Sequence, residues 1–335
     1  VVMGFVVTIV LALYGNGVYA LVIGYMVQNI SGGGLKIING LKFHKPKFYF
    51  NLKLVTYYLN FGGFQMSERI VSYFRQQGDN FLIGTFLSTE TLGFYNIAKI
   101  LVMKPVQLIR NIFGKMAFPV FSSIKNDDLL KKWALTLNKL VYLGIIPVML
   151  LLIVFPDAVI FYFYGESWMT SVPYLRLTAI LFSIRLLRTT FGPLLLARGK
   201  ARLSFLFNLW FTVIVLITLS LTLPFSIIYA LYALIFIELF VLQTMNLQLV
   251  LKPILGFTVK DYFKVAMESF IPLLSACVLT FLIYNYYSDM TYVFRNVLIY
   301  LIGLCFGMGL FYMSNKDSIQ LVRIKLAELK SNKIG

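Results

Sequence analysis

Charged side chains interrupt an apolar stretch of the sequence, RIVSYFRQQGDNFLIG, which spans residues 69–84. With a helical period, Glu68, Ser72, Arg75 and Asp79 fall on one face of a helix through this stretch. A guanidinium on such a face can bind an anion through paired hydrogen bonds. It can also pair with a carboxylate one turn away, and the spacing of Arg75 and Asp79 suits that alternative equally well.

Two later apolar stretches carry further cations at helical spacing. The cations that we expect to line an anion-binding cavity are Arg69, Arg75, Lys99, Lys104, Arg110, Arg185 and Arg188. Acids at comparable positions are fewer, so pairing alone cannot account for every cation. Three of them, Glu68, Asp79 and Glu238, suit either structural pairing or the binding of a proton or sodium ion.

The elements that must hold these side chains are transmembrane helices. Of the 335 residues, 59% are hydrophobic and 13% are charged, and the mean hydropathy is +0.83, values typical of integral membrane proteins. Apolar windows of about 20 residues, long enough to cross a bilayer as helices, recur throughout. They predict an all-α polytopic bundle of about ten helices rather than a barrel of alternating strands. The predicted spans are 1–14, 16–37, 54–87, 91–122, 133–155, 172–197, 203–222, 225–249, 266–286 and 292–313.

Arg75 and Lys104 lie near the middle of consecutive predicted spans. At 1.5 Å per residue, Arg75 is about 16 Å and Lys104 about 20 Å from the end that the two spans share. Consecutive antiparallel helices usually pack side by side, so both cations are expected to face one cavity. Because a central charge that faces lipid costs roughly 2.5–3.5 kcal/mol on insertion scales, this cavity is expected to hold water and to accept an anion.

Lys and Arg concentrate in alternate gaps between the predicted spans, and the positive-inside rule assigns those gaps to the cytoplasm. The basic gaps lie at 42–53, 125–132, 198–202 and 252–264, and the tail at 316–333 is also basic. The gaps near Asn16, Glu90, Pro224 and Asp289, and the gap at 157–171, contain no Lys or Arg and are assigned to the outside. The net charge of +17 therefore reflects topology and attraction to anionic membrane lipids, and it requires no nucleic-acid partner.

Other residues with reactive or metal-binding side chains carry little signal. Cys277 and Cys305 lie inside predicted spans, where we expect them to pack as small side chains, and His44 lies in a basic loop. No metal-ligand spacing and no Ser/His/Asp arrangement is visible. We expect neither a catalytic residue nor a cofactor, although an ion gradient of unknown kind is a possible energy source.

Two segments resemble a known family. Residues 79–127 read DNFLIGTFLSTETLGFYNIAKILVMKPVQLIRNIFGKMAFPVFSSIKND, and residues 192–203 read GPLLLARGKARL. The Asp79-Asn80 pair, the Leu-Gly-x-Tyr at 92–95 and the Phe-Pro at 118–119 resemble polysaccharide-biosynthesis flippases of the multidrug/oligosaccharidyl-lipid/polysaccharide exporter superfamily. The similarity is greatest to the branch of colanic-acid and teichuronic-acid exporters.

This resemblance implies a transporter with two helix bundles around a cavity that opens alternately to either side of a bacterial inner membrane. The implied cargo is a polyprenyl-pyrophosphate-linked oligosaccharide, and a polysaccharide polymerase and other export machinery are possible partners. Members are longer, so the chain is expected to lack most of the first bundle. The expected regions are the last two helices of that bundle with a basic loop (1–53), a six-helix bundle with the cationic cavity (54–250), two additional helices (251–313) and a basic amphipathic cytoplasmic tail (314–335).

Two other functions stay open at this point. A flippase of the same superfamily could carry a peptidoglycan precursor, another lipid or a drug, although a cationic drug fits a cationic cavity poorly. A membrane-embedded glycan polymerase or ligase would need catalytic groups on its outer face. The longest outer gap, 156–171, offers only Asp157 and Glu166 as ionisable groups, which favours the transporter.

Overall fold

The structure is a computed structural model that describes residues 2–15, 17–43 and 52–256, with isolated positions beyond them. The predicted spans 266–286 and 292–313, both cysteines, His44 and the predicted amphipathic tail (314–335) lie outside the described ranges. Within those ranges every regular element is a helix, which confirms the all-α prediction. The predicted four-region division of the chain stays a prediction.

The helices follow the predicted spans closely. They are α1 (Val2–Leu13), α2 (Gly17–Phe43), α3 (Leu52–Phe86), α4 (Thr89–Ser123), α5 (Asp127–Val154), α6 (Pro156–Tyr164), α7 (Val172–Arg185), α8 (Phe191–Ala197), α9 (Ala201–Thr222), α10 (Ile227–Ile237), α11 (Gln243–Met245) and α12 (Lys252–Leu255). Among the described residues, five helical segments are long and apolar enough to cross a membrane: Thr89–Ser123, Asp127–Val154, Glu166–Ala197, Ala201–Thr222 and Ile227–Leu249. The chain is therefore a membrane protein.

Three local features of the structure differ from what the sequence predicted. The predicted outer gap at 156–171 is helical, because Pro156 begins α6 and a 3₁₀ segment, Glu166–Ser171, leads into α7. The predicted span 172–197 changes to a 3₁₀ turn at Leu186–Arg188 before α8. The predicted span 225–249 contains two π-helical segments, Glu238–Leu242 and Asn246–Leu251.

The chain divides into two compact units, residues 1–58 and 59–335. In the first unit, α1 and α2 form an antiparallel hairpin with very close backbone approach. A Cβ on Gly4 would lie 2.5 Å from the Cβ of Gln28, and a Cβ on Gly24 would lie 1.7 Å from Oγ1 of Thr8. Only glycine permits this spacing, which is how small residues bring membrane helices together.

In the second unit, α7 contributes side chains to two hydrophobic clusters, one on each side of the helix. Leu175 and Ala179 contribute to a cluster with α4 and α5, in which Tyr142 and Met149 are fully buried. Leu181 contributes to a second cluster with α9 and α10. The centre of this unit is therefore a close-packed scaffold that fixes the polar side chains described below.

In the second unit, segments that the topology prediction assigns to the same side of the membrane contact one another. Asp127, at the start of α5, forms an ion pair with Arg198, between α8 and α9. Nζ of Lys131 donates to the carbonyl oxygen of Gly256 at 3.2 Å. All of these residues belong to gaps that the sequence assigns to one side of the membrane. Which side faces the cytoplasm stays a prediction.

Candidate functional site

Polar side chains of α3 connect to α4 through a buried group that we call the lysine cluster: Asp79, Tyr95, Lys99 and Asn80. Nζ of Lys99 lies 2.7 Å from Oδ1 of Asp79, 2.7 Å from the carbonyl oxygen of Gln76 and 3.3 Å from Oδ1 of Asn80. The Tyr95 hydroxyl donates to Oδ2 of Asp79 at 2.8 Å. Only 9% of the Lys99 side chain and 15% of the Asp79 side chain are exposed, so both charges are mostly removed from solvent.

The lysine cluster corrects one expectation about Asp79. Its carboxylate pairs with Lys99 across the helix interface and not with Arg75 one turn before it. Instead, the Arg75 guanidinium donates to Oδ1 of Asn208 at 3.0 Å and to Oγ of Ser72 at 2.9 Å. Both of these acceptors are neutral.

Arg75 contacts the ring of Phe211 in α9, which also contacts Arg188. The Cζ atom of Arg75 lies 4.6 Å from the ring centroid, and that of Arg188 lies 4.2 Å from it. These three residues form what we call the arginine stack. Both contacts lie within the range of favourable cation–π interactions. Two positively charged groups thus lie close to one ring, and the attraction of the ring for each of them favours this arrangement.

Glu238 pairs with Arg188 of the arginine stack at a point where two helices depart from regular α-helical structure. Its side chain is 1% exposed and accepts a hydrogen bond from Nε of Arg185 at 3.1 Å and another from Arg188. Arg185 ends α7, Arg188 ends the 3₁₀ turn, and Glu238 begins the first π segment. We call Arg185, Glu238 and Arg188 the glutamate clamp.

The second acid near the stack is Glu68, which accepts a hydrogen bond from Nδ2 of Asn208 at 3.0 Å. Asn208 therefore bridges Glu68 and Arg75 through its two amide atoms. In the part of the chain that the structure describes, no Lys or Arg lies within ion-pair distance of Glu68. Two turns further along α9, the tip of the Leu216 side chain packs against Gly78 of α3, where an added Cβ would lie 2.6 Å from Cδ2 of Leu216.

The seven predicted cations fall into three groups, of which the first is Arg75 alone, half-buried and bonded to neutral acceptors. Lys99, Arg185 and Arg188 pair with acids, as described. Arg69, Lys104 and Arg110 are exposed. Among the described residues, no hydrogen bond, ion pair or ring contact links Lys104 to Arg75 or to the partners of Arg75, so their shared anion site stays a prediction.

Sequence reasoning missed Asn208 and Phe211, which complete the contacts of Arg75. Asn208 is a polar residue inside the predicted span 203–222, and that was a usable signal. Phe211 gave no signal, because 31 Phe residues make any single aromatic unremarkable in such a chain. Among the described residues, no group of three or more His, Cys, Asp or Glu side chains is placed to hold a metal ion.

Together these features define a polytopic all-α membrane protein with a buried, polar and net-cationic centre. A family model described as "Polysaccharide biosynthesis protein" matches residues 1–173, just over half of the chain, and the chain belongs to that family.

Curated relatives agree with this assignment. The chain is 36% identical over 165 residues to the teichuronic acid biosynthesis protein TuaB of Bacillus subtilis (strain 168), a match that covers 49% of this chain and 34% of the relative. It is 27% identical over 212 residues to the lipopolysaccharide biosynthesis protein WzxC of Escherichia coli (strain K12), covering 62% and 43% of the two chains.

A third relative matches along most of this chain. It is a membrane protein in the cps region of Klebsiella pneumoniae, 24% identical over 323 residues, covering 93% of this chain and 65% of the relative. The chain thus spans between about a third and just under two thirds of the length of these relatives. No solved structure matches.

Proposed function

We propose that this chain forms part of a flippase that moves a polyprenyl-pyrophosphate-linked oligosaccharide from the cytoplasmic to the outer leaflet of a bacterial inner membrane. The observation that carries the proposal is the state of Arg75. Its guanidinium is half-buried and hydrogen-bonds only to neutral groups, and in the described part of the chain no carboxylate lies within ion-pair distance of it. A cation kept in this way can bind a phosphate without first breaking a salt bridge.

The arginine stack suits a ligand with two linked phosphates. Its two Cζ atoms lie 4.6 Å and 4.2 Å from one ring centroid, so they are separated by roughly 9 Å at most. Two guanidiniums at this separation can each donate to one phosphate of a pyrophosphate, and their planar forks match phosphate oxygens.

Further cations lie along α4. Lys104, Arg110 and Lys115 are all exposed and follow the helix from its middle toward its basic end. A negatively charged headgroup that enters from that end would be attracted by these side chains, which lie at different angles around the helix.

Alternating access requires helices that can bend. The glutamate clamp lies where the 3₁₀ turn at Leu186–Arg188 faces the π segment at Glu238–Leu242. Irregular helical turns of this kind occur at functional sites, and in transporters they line the cargo cavity. We infer that an anion competing with Glu238 for Arg188 couples binding to movement of α7 and α10.

Glu68 is the best placed of the three acids to bind a coupling proton. Asp79 and Glu238 each pair with a cation, whereas Glu68 accepts its hydrogen bond from the neutral Asn208. We place the chain as a multi-pass protein with its C-terminus in the cytoplasm, acting as a transporter and not as an enzyme. The names of the relatives, which concern teichuronic acid and lipopolysaccharide biosynthesis, favour a polysaccharide cargo over a peptidoglycan precursor.

The test is a flipping assay with the full-length gene product in vesicles that contain a pyrophosphate-linked oligosaccharide. Arg75→Ala should abolish or strongly reduce flipping at normal protein abundance, and Arg75→Lys should restore it in part, because an ammonium keeps the charge but loses the fork. Arg176→Ala is the matched control. Arg176 is exposed near the opposite end of α7 and donates to the carbonyl oxygen of Ile153 at 3.2 Å.

Two outcomes would contradict the role of Arg75. One is an Arg75→Ala protein that flips the cargo at the rate of the Arg176→Ala control. The other is recovery of flipping when Asp79→Asn is added to Arg75→Ala, because that recovery would mean the two residues act as an ion pair.

A further inference from the structure

A cavity of about 380 Å³ lies where the start of α4 meets the 3₁₀ segment before α7, at the opposite end of α4 from its basic residues. We call it the aromatic cavity. Its volume lies in the range of small-ligand sites. The residues that line it are Thr89, Glu90, Gly93, Phe94, Ser167 and Trp168.

Aromatic packing fixes the indole of Trp168 at one wall of this cavity. Its ring lies 5.5 Å from that of Phe94 at 82° and 6.4 Å from that of Tyr164 at 61°. Gly93 adds no side chain in front of the indole, and a Cβ there would lie 4.0 Å from Cζ3 of Trp168. A rigid aromatic wall beside open space is the surface on which the apolar face of a sugar ring can pack.

The polar groups of the cavity suit hydroxyl groups. Glu90 supplies a carboxylate, and Thr89 and Ser167 supply hydroxyls that can donate or accept. All three side chains are exposed, and among the described residues none of their terminal oxygen atoms has a recorded hydrogen-bond partner. They are therefore available to a ligand.

The charge of the cavity selects among sugars. Glu90 lines the cavity, and Glu166 directly precedes the lining residue Ser167 in the sequence. The two gaps that supply lining residues, near Glu90 and at 157–171, contain no Lys or Arg. A carboxylate attracts hydroxyl and ammonium donors and repels a second carboxylate. On charge alone, a neutral or amino sugar would be favoured here over a uronic acid.

We propose that the aromatic cavity binds one neutral or amino-bearing sugar ring of the glycan, at the end of the bundle where the topology prediction places the outside. This inference rests on the proposed function, since it takes its ligand from the glycan of the same cargo. The arginine stack would hold the pyrophosphate near the middle of α3, about 16 Å from the end of that helix at 1.5 Å per residue. A glycan of a few sugars can span that distance.

The test uses purified full-length protein in micelles and saturation-transfer NMR with methyl glucoside, methyl galactoside, methyl N-acetylglucosaminide and methyl glucuronide. At least one of the three neutral glycosides should receive saturation from the protein, and the glucuronide should receive at most a fifth as much. Trp168→Ala should reduce the transfer at least tenfold. Trp210→Ala is the matched control, because Trp210 is an exposed tryptophan of α9 outside the cavity.

Two further variants separate binding from folding. Glu90→Gln changes only an exposed side chain and should weaken transfer several-fold, and Trp168→Phe keeps a ring and should retain part of it. The inference is overturned if no neutral glycoside receives saturation, if Trp168→Ala binds as well as Trp210→Ala, or if the glucuronide binds equally well.

Failure of this inference is distinguishable from failure of the proposed function. If Trp168 variants lose sugar binding while the protein fails to flip any pyrophosphate-linked glycan, the cavity stands and the flippase proposal falls. If Arg75→Ala abolishes flipping while Trp168→Ala changes neither flipping nor sugar binding, the cavity inference alone is wrong.

Discussion

The pairing of Asp79 with Lys99 makes a quantitative prediction about stability. In Asp79→Asn, the Lys99 ammonium, whose side chain is 9% exposed, keeps its charge but loses its carboxylate partner. Breaking a buried pair by removing one partner costs about 3–5 kcal/mol, and we expect a loss of unfolding free energy in that range.

The double variant Lys99→Met and Asp79→Asn removes both charges and leaves no uncompensated cation. It loses the hydrogen bonds to the Gln76 carbonyl, at 2.7 Å, and to Asn80, at 3.3 Å, which are worth about 1 kcal/mol each. The double variant should therefore be more stable than Asp79→Asn alone. The corresponding coupling free energy should be at least about 2 kcal/mol.

The assay is a titration of the purified protein with a denaturing detergent, from which the unfolding free energy of each variant is obtained. Arg75→Met combined with Asp79→Asn is the comparison cycle, because Arg75 donates to Asn208 and Ser72 instead of to Asp79. That cycle should be nearly additive. The reasoning would be refuted if coupling were larger in the Arg75 cycle than in the Lys99 cycle.

Two further predictions concern the arginine stack and the glutamate clamp. Phe211→Leu keeps an apolar side chain but removes two cation–π contacts of about 0.5–2 kcal/mol each, so flipping should fall by tenfold or more while protein abundance changes little. The flipping assay measures the first quantity and immunoblotting the second. Unchanged flipping would show that the ring does not position the guanidiniums. Glu238→Ala removes a carboxylate that is 1% exposed and leaves Arg185 and Arg188 without their shared partner, which should cost about 3–5 kcal/mol in the detergent titration. Asp127→Ala breaks an ion pair whose carboxylate is 67% exposed and should cost less than about 1 kcal/mol. A Glu238→Ala loss no larger than that of Asp127→Ala would contradict the assigned role of the clamp.

The helices were predictable because membrane crossing imposes a length that is visible in composition alone. The predicted span 203–222 and the helix Ala201–Thr222 differ by two residues at one end. The helix in the predicted gap at 156–171 also had a signal, since Pro156 occupies the first turn of α6 and Gly165 ends it. The nine residues Pro156–Tyr164 are too few to cross a bilayer, so a prediction based on transmembrane length places a gap there.

The pairing of side chains was not predictable for a physical reason. Spacing along α3 places Arg75 and Asp79 on one face, but the rotation of α4 about its own axis decides which cation reaches the carboxylate. Tyr95 and Lys99 lie one turn apart on α4 and both contact Asp79. Ser88, whose side chain accepts from the backbone N–H of Thr91, fixes where α4 begins but not that rotation. A single sequence contains no measure of it.

The two π segments after α10 change how this region must be aligned with its relatives. A π turn holds one residue more than an α turn, so each segment acts as a one-residue insertion within a helix. Glu238, Gln243 and Asn246 are all buried in this arrangement. In a relative that lacks one of the extra residues, the helix would be continuous and every later side chain would be rotated by about 100°. Polar positions after Glu238 would then correspond between family members only if the alignment places a gap inside the helix, where gaps are normally penalised.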